Sequence, residues 1–403
     1  MTRVSIYIVF AFIFFLILGV VVKDYINYNI CVRLIIFICI SIGLFVLYSN
    51  NVEKIKKDFN IKRKRSLKRS FYKLFTFFFI WLCCLIFSIF IINVIGFGYY
   101  YNFYNDALIY SPLIFLLIFL WIIYYDKRMN NPWDDYYYFS LNFFKGKIDF
   151  KNNKKFILGL VVKILFIPYM YSATVDCVYQ ILIINYMDMD SLDFIKFIFL
   201  FGLCIDLIIA FGGYLICSKY FGTDNISIDT SLSGWIVCMI CYAPLVVVTE
   251  LFTKQIDNYI WSDWLSSDQI AYWIWAVLIT ATWLVYWCST LSFGLRFSNL
   301  SWRGLVNNGV YRYLKHPAYL SKNIYWWLHT VPWFGVIGLD ILRNFFALSI
   351  VSLIYYLRAK TEEKHLMQFE EYITYSAWIA EHGLWAKTKK TFGKINFLVF
   401  KKY

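Results

Sequence analysis

The sequence predicts an all-α integral membrane protein, and three observations carry that prediction. Of its 403 residues, 61% are hydrophobic and 22% aromatic, and only 16% are charged, whereas a soluble domain has about 25% charged residues. Apolar runs of the length needed to cross a bilayer, about 20 residues, recur along the chain. These runs lack the ten-residue alternation of a membrane β-barrel, so their backbone groups must bond within helices.

The apolar runs predict a polytopic protein of about ten transmembrane helices. The first run has no small-residue cleavage site after it and is interpreted as a retained span. The last two lie so close together that they predict a helical hairpin, and an amphipathic helix is expected to follow them on the cytoplasmic membrane surface. The predicted spans are Val4–Val22, Arg33–Tyr48, Leu74–Phe97, Ala107–Tyr125, Phe156–Tyr179, Phe194–Cys217, Gly234–Phe252, Ile270–Leu291, Asn323–Leu339 and Asn344–Leu357.

Lysine and arginine are concentrated in alternate loops of this topology. Residues 54–69, residues 127–155 and the C-terminal tail from 387 are basic, whereas residues 188–193 and 257–268 are acidic. By the positive-inside rule, both termini and the polar segments near the C-terminus are predicted to be cytoplasmic. The net charge of +14 then reflects topology and contact with anionic membrane lipids. Because the basic residues sit in short loops between spans, we expect no nucleic-acid partner.

Cysteines and intramembrane charges indicate little specific chemistry. The ten cysteines are scattered through apolar runs, and the one Cys-x-x-Cys pair, Cys238 and Cys241, has no second pair or histidines nearby, so we expect no metal site. The ionisable residues within spans have either a structural role or a place in a substrate cavity, and the sequence leaves both open. They include Lys163, Asp176, Asp206 and Glu250.

Polar residues suited to a charged small molecule are concentrated in residues 303–319. All four histidines lie in the last quarter of the chain, and His316 is in this segment. Gly304 and Gly309 permit tight backbone turns close to a ligand. His316 precedes Pro317, which favours a helix beginning at Pro317 with free N–H groups able to bind a carboxylate or phosphate.

A second polar segment follows at the end of the last predicted span. Arg358 and Glu362 are four residues apart and share a helix face. They either form a weak surface salt bridge or divide a task, in which the carboxylate accepts bonds from ribose hydroxyls and the guanidinium holds a substrate carboxylate. Glu363 points about 100° away and is expected to contact solvent or a neighbouring helix.

Together these segments resemble the isoprenylcysteine carboxyl methyltransferase / phospholipid methyltransferase superfamily. Three blocks occur in the family's order and spacing, over about Phe194–Tyr375, and the chain departs from the pattern at Lys315, Ser321 and Glu370. The blocks are Gly294-Leu-Arg-Phe-Ser298, then Arg303-Gly-Leu-Val306 with Gly309-Val-Tyr-Arg-Tyr-Leu-Lys-His-Pro-Ala-Tyr-Leu320, then Arg358, Glu362, Glu363, Leu366, Phe369, Tyr372 and Tyr375.

The resemblance divides the chain into two predicted domains. Residues 1–190 form an N-terminal membrane domain of about five spans with no assigned function. Residues 191–403 form a membrane methyltransferase domain with a cytoplasmic cofactor site. The oligomeric state is not predicted.

The resemblance implies transfer of a methyl group from S-adenosylmethionine to a carboxylate or amine of a lipid or isoprenoid-linked acceptor. The partner is then a lipophilic small molecule or a lipidated substrate. Arg358 would hold the acceptor, and Arg358, His316 and Glu362 are the catalytic candidates. The other three histidines, His329, His365 and His382, are expected to be structural or solvated. The implied cofactor-binding residues are Arg296, Gly304, Leu305, Val306, Tyr311, His316, Pro317, Ala318, Tyr319 and Glu362.

Two other functions fit part of the sequence. A steroid-5α-reductase-like, NADPH-dependent oxidoreductase would share the helical architecture and the His-Pro-x-Tyr motif, but the block from Arg358 to Glu363 favours methyl transfer. A transporter or membrane scaffold would account for the unmatched N-terminal half. In such a protein the C-terminal enzyme domain would have decayed. Decay would not have left the matched blocks nearly complete.

Overall fold

The computed structural model consists almost entirely of α-helices, and the predicted all-α membrane class is confirmed. It describes residues 2–23, 25–53, 66–129, 131–147, 150, 153–242, 245–253, 260–333 and 336–389, and the structural statements below concern these residues. Among them, eight helices are long and apolar enough to cross a membrane. The basic residues 54–65 and most of the C-terminal lysines lie outside the described part of the chain.

The N-terminal half contains seven of the helices. Asn and Ser side chains cap the starts of the second and third, and Asp side chains cap the fifth and seventh, which satisfies N–H groups that a helix start leaves free. The helices are α1 (Arg3–Val22), α2 (Tyr28–Asn50), α3 (Leu67–Phe90), α4 (Tyr101–Asp126), α5 (Asp135–Phe144), α6 (Lys154–Leu182) and α7 (Ser191–Leu215).

The C-terminal half alternates short and long elements. Two of its helices, α11 and α13, are long and apolar enough to cross a membrane. The elements are β1 (Ser227–Ile228), α8 (Leu232–Ile240), α9 (Val247–Thr253), α10 (Trp261–Trp264), α11 (Ile270–Phe293), β2 (Ser301–Trp302), α12 (Pro317–Thr330), α13 (Leu339–Leu366) and α14 (Glu370–His382). Strands β1 and β2 form one antiparallel pair.

Two predicted spans are wrong, which lowers the described count to eight. Among the described residues, the predicted span Gly234–Phe252 consists of two short helices, α8 and α9, and the sequence between them contains a proline, a residue type that disfavours a continuous helix. The predicted span Asn323–Leu339 is also absent, because α12 ends at Thr330. There Val331 has a positive φ of 40°, and Pro332 follows.

The helical hairpin is present with different bounds from those predicted. Its first arm, α12, begins at Pro317 and is 14 residues long. Its second arm, α13, extends from Leu339 to Leu366 and contains the predicted span Asn344–Leu357. The two arms pack against each other. The expected amphipathic helix follows as α14.

The largest apolar cluster joins helices from both halves of the chain. It includes Phe12 on α1, Ile36 on α2, Val178 on α6 and Ile208 on α7, all buried. Helix α7 is central, because it packs against α6 on one side and α11 on the other. At Gly202 a side chain would collide with the ring of Trp287, so α7 and α11 approach closely. This contact fixes the end of α11 from which the polar segment leaves.

Buried charges on α2, α3 and α4 are paired with opposite charges. Arg33 on α2 donates to Asp106 on α4 at 2.8 Å. Asp126, which is 1% exposed, accepts from Arg69 Nε at 2.8 Å and lies 3.1 Å from Lys73 Nζ. These pairs join α2, α3 and α4, whereas Lys163 on α6 donates to the Tyr136 hydroxyl at 2.7 Å.

Candidate active site

The polar segment between α11 and α12, residues 294–316, is anchored at two points by contacts with residues distant along the chain. Gly294, with φ of 56°, ends α11 against Thr2 of α1. Arg303, 6% exposed, donates through Nη1 to the carbonyl of Gly213 on α7 at 2.6 Å and through Nε to Asn225 at 2.8 Å. The buried guanidinium thus fixes the segment to α7. Arg303 was not among the predicted cofactor-binding residues.

The predicted turn residues come together beside the site. Gly304 has φ of 98°, a conformation that favours glycine, and a Cβ there would lie 3.5 Å from Nη1 of Arg296. Leu305 packs on the apolar cluster under α14, and Val306 is buried. These residues and Pro317 shape the segment, but their side chains do not line the cavity described next.

A cavity lies where α11, α12 and α13 meet the polar segment. Six predicted residues line it, and His365, expected to be structural, also lines it while bonding Ser227 Oγ at 3.0 Å. Its volume is about 90 Å³, room for only a few water molecules, so a larger ligand has to displace part of the wall. The predicted residues on its wall are Tyr311, His316, Ala318, Tyr319, Arg358 and Glu362.

His316 is held at the start of α12 by a carboxylate. Its Nε2 lies 3.2 Å from Oε1 of Glu363, and its ring stacks on Tyr319 with centroids 5.7 Å apart. Glu363 was expected to contact solvent or a neighbouring helix, and it contacts the start of α12. Glu363 also bonds Lys360 at 3.2 Å and lies 3.6 Å from Lys315. The proline start of α12 brings His316 to the end of α13.

Arg358 and Glu362 both line the cavity, but they do not pair with each other. Nη2 of Arg358 donates to Oδ1 of Asn299 at 3.3 Å, and the guanidinium lies 5.9 Å from the centre of the Tyr319 ring. The Tyr319 hydroxyl donates to Oε2 of Glu362 at 2.6 Å. Burial raises the pKa of Tyr319 well above its usual range, so the hydroxyl keeps the proton it donates. The weak salt bridge is absent, and both charged groups remain available to a ligand.

Asn299 is a site residue that sequence reasoning missed. Its backbone N–H and its Nδ2 both donate to the Tyr214 hydroxyl, at 2.9 and 2.7 Å, which leaves Oδ1 to accept from Arg358. Tyr214 is on α7 and fully buried. The nearest signal was the position of Asn299 directly after the Gly294–Ser298 block.

A second, larger cavity adjoins the first and is mainly aromatic. It has a volume of about 260 Å³, and it shares Tyr242, Tyr286, Phe297 and Lys322 with the first cavity. Helices α6, α7, α11, α12 and α13 contribute to its wall. The aromatic wall residues are Tyr169, Phe199, Tyr242, Trp283, Tyr286, Phe297, Tyr325, Trp326 and Tyr355.

Residues 273–368 match the model of the Isoprenylcysteine carboxyl methyltransferase (ICMT) family. We call this matched stretch the ICMT-family region. It begins in α11 and ends just after α13, so it contains the polar segment, His316, Arg358 and Glu362. The match confirms the resemblance seen in the sequence and supports a membrane methyltransferase in general. No curated protein and no solved structure matches the chain.

Proposed function

We propose that this protein transfers the methyl group of S-adenosylmethionine to a carboxylate or amine of a lipophilic acceptor. The observation that carries the proposal is the convergence of Arg358, Glu362 and His316 on one cavity inside the ICMT-family region. S-adenosylmethionine supplies a methyl group activated by a sulfonium. The transfer is an in-line displacement, so the residues have mainly to align the two reactants.

The residues of the first cavity fit the chemistry of this cofactor. Oε2 of Glu362 already accepts a hydroxyl hydrogen bond from Tyr319 at 2.6 Å, and a carboxylate in that position suits ribose hydroxyls. The free N–H groups at the start of α12, beside Pro317, suit the amino-acid carboxylate. The faces of Phe293 and Tyr311 on the cavity wall suit a cation or a flat base.

Arg358 is the proposed acceptor-binding residue. It is 4% exposed, and no carboxylate among the described residues lies within 4.0 Å of its guanidinium. A carboxylate acceptor is a nucleophile at neutral pH and needs no base. An amine acceptor has to lose a proton, for which His316, hydrogen-bonded to Glu363, is the candidate base.

The proposal also assigns the site to the cytoplasmic side. The basic loops of the sequence support that side, as does the synthesis of S-adenosylmethionine in the cytoplasm. Cysteine substitution at the exposed Lys364, just beyond the site on α13, followed by labelling in sealed cells with a membrane-impermeant maleimide, tests the assignment. Labelling without permeabilisation would contradict it.

The cofactor assignment is tested by ligand-induced thermal stabilisation of the purified protein. S-adenosylmethionine should raise the unfolding temperature and NADPH should not. Stabilisation by NADPH alone would instead support the reductase interpretation.

The reaction is tested with labelled S-adenosylmethionine and total lipid or membrane-protein extract. Glu362→Ala and His316→Ala should each lower methyl incorporation, whereas Glu381→Ala, a change on the exposed surface of α14, should not. Parent-level incorporation by both site variants would contradict the proposed site. Identification of the labelled product names the acceptor.

A further inference from the structure

Lys322 is the charged group where the two cavities meet. It lies on α12, within two turns of His316, and lines both cavities. Its ammonium is 4.3 Å from the centre of the Tyr286 ring. No carboxylate among the described residues lies within 4.0 Å of it. Burying a cation without a close counter-ion costs desolvation free energy, and a bound anion would offset that cost.

Tyr286 and Asp206 hold Lys322 in this position. The Tyr286 hydroxyl donates to Oδ2 of Asp206 at 2.8 Å, which fixes the ring whose face the ammonium approaches. A cation over the face of a tyrosine is attracted by the ring's negative face. Asp206 is 5% exposed and its second oxygen, Oδ1, is fully buried. The ammonium therefore lines the shared wall, and Asp206 lines the larger cavity with its Oδ2 already accepting the Tyr286 hydroxyl.

The larger cavity has room for the apolar part of a ligand next to this cation. Nine of its wall residues are aromatic, and its volume is about 260 Å³. An amphiphile whose apolar part fills this space would present its polar end at Lys322, at the border of the cavity that holds Arg358 and Glu362. Two cations, Lys322 and Arg358, then face that polar end.

We infer that Lys322 is a specificity-determining residue that selects acceptors bearing an anionic group, and that the aromatic cavity holds the acceptor's apolar part. Tyr286 and Asp206 are positioning residues that act through Lys322. The inference rests on the proposed function, and within it decides for a carboxylate acceptor over an amine. An acceptor ammonium at the shared wall would be repelled by Lys322 and Arg358, whereas an acceptor carboxylate would supply both cations with a counter-ion.

Equilibrium binding without cofactor tests the inference. The full chain in nanodiscs of zwitterionic lipid is titrated with two radiolabelled series. One is N-acetyl-S-farnesylcysteine, its methyl ester and S-farnesylcysteamine, and the other is palmitic acid, methyl palmitate and hexadecylamine. In at least one series the acid should bind about tenfold or more tightly than its ester and amine, because an ionised hydrogen bond is strong at a buried site.

Three variants assign that preference to Lys322. Lys322→Met should reduce it to less than about threefold, and Lys322→Arg should keep it. Lys364→Met is the matched control, since it removes one exposed positive charge from the next helix and should leave the preference unchanged. Tyr286→Phe removes the hydroxyl that bonds Asp206 and should reduce the preference partly. This variant also tests the inference if Lys322→Met fails to fold.

Two results would overturn the inference. One is the absence of an acid preference in both series, and the other is a preference that survives in Lys322→Met. A failure of the proposed function would be distinguishable from a failure of this inference. If acid binding depends on Lys322 but no methyl group is transferred from labelled S-adenosylmethionine, the inference stands and the methyltransferase assignment falls.

Discussion

Buried cations have different partners in helices α2 and α3 and at the candidate site. In the N-terminal helices Arg33, Arg69 and Lys73 each lie within 3.1 Å of a carboxylate oxygen. In the C-terminal half Arg358 and Lys322 have no carboxylate within 4.0 Å among the described residues. They contact an amide oxygen and aromatic faces instead.

The difference separates charges that hold helices together from charges that bind a ligand. A buried ion pair has its attraction satisfied within the protein, so breaking it exposes the desolvation cost of the remaining charge. A buried cation that lacks a counter-ion carries that cost in the folded state already, and a bound anion relieves it. Stability therefore depends on the first set of charges, and binding depends on the second.

The largest effect on stability should come from Asp126→Ala in the N-terminal set. Among the described residues, the change leaves Arg69 without a carboxylate partner and Lys73 with Asp134 as its one carboxylate, at 2.8 Å. Breaking a buried pair costs about 3–5 kcal/mol. Thermal and denaturant unfolding in detergent should show this loss, while Asp135→Ala, on the exposed start of α5, should cost less than about 1 kcal/mol. Equal losses would erase the distinction between the two sets.

Arg358→Met should show the reverse pattern. Methionine keeps much of the side chain's length and removes a buried charge without leaving a carboxylate unpaired, so the unfolding temperature should stay unchanged or rise. Methyl transfer should fall about 100-fold in kcat/KM, as expected for the loss of a strong charged contact to the acceptor. A destabilised Arg358→Met with normal transfer would place Arg358 with the structural charges.

The sequence predicted the architecture through signals that are local along the chain. Runs of apolar residues predicted all eight described spans, five of them within five residues at both ends, and the four-residue spacing of Arg358 and Glu362 predicted their shared face. The two wrong spans came from hydropathy windows that disregard proline. Prolines occur in the sequence at positions 244 and 332, within apolar windows that were interpreted as continuous spans.

The sequence did not predict contacts between residues that are distant along the chain. Asp206 and Lys322 are more than 100 residues apart, and only the packing of α7, α11 and α12 brings them to one ring, that of Tyr286. Asp206 was noted as an intramembrane acid with two open interpretations. Lys322 follows the matched block directly but gave no signal of its own, because a lysine near a helix end usually reaches solvent.

Asn299→Ala should have a smaller effect that tests how Arg358 is positioned. The change removes the acceptor Oδ1, 3.3 Å from Nη2 of Arg358, and the Nδ2 that binds Tyr214. We expect the KM for the acceptor to rise about tenfold, in line with one lost hydrogen bond to a charged group, with little change in kcat. The Kd of S-adenosylmethionine should stay constant. A fall in kcat alone would assign Asn299 to the chemical step.

The smallest expected effect is the pH dependence of acid binding. Burial lowers the pKa of Lys322, and Arg358 lowers it further, whereas Asp206 and Cys241 act in the opposite direction. Lysine is charged below its pKa and a carboxyl group above its own, so the affinity for palmitic acid should be highest between these two pKa values and decline as pH rises through the lowered pKa of Lys322. The decline should begin at a lower pH than for an exposed lysine. Titration in Lys322→Met should lack this decline; a matching decline there would assign the titration to another group and return Lys322 to the structural charges.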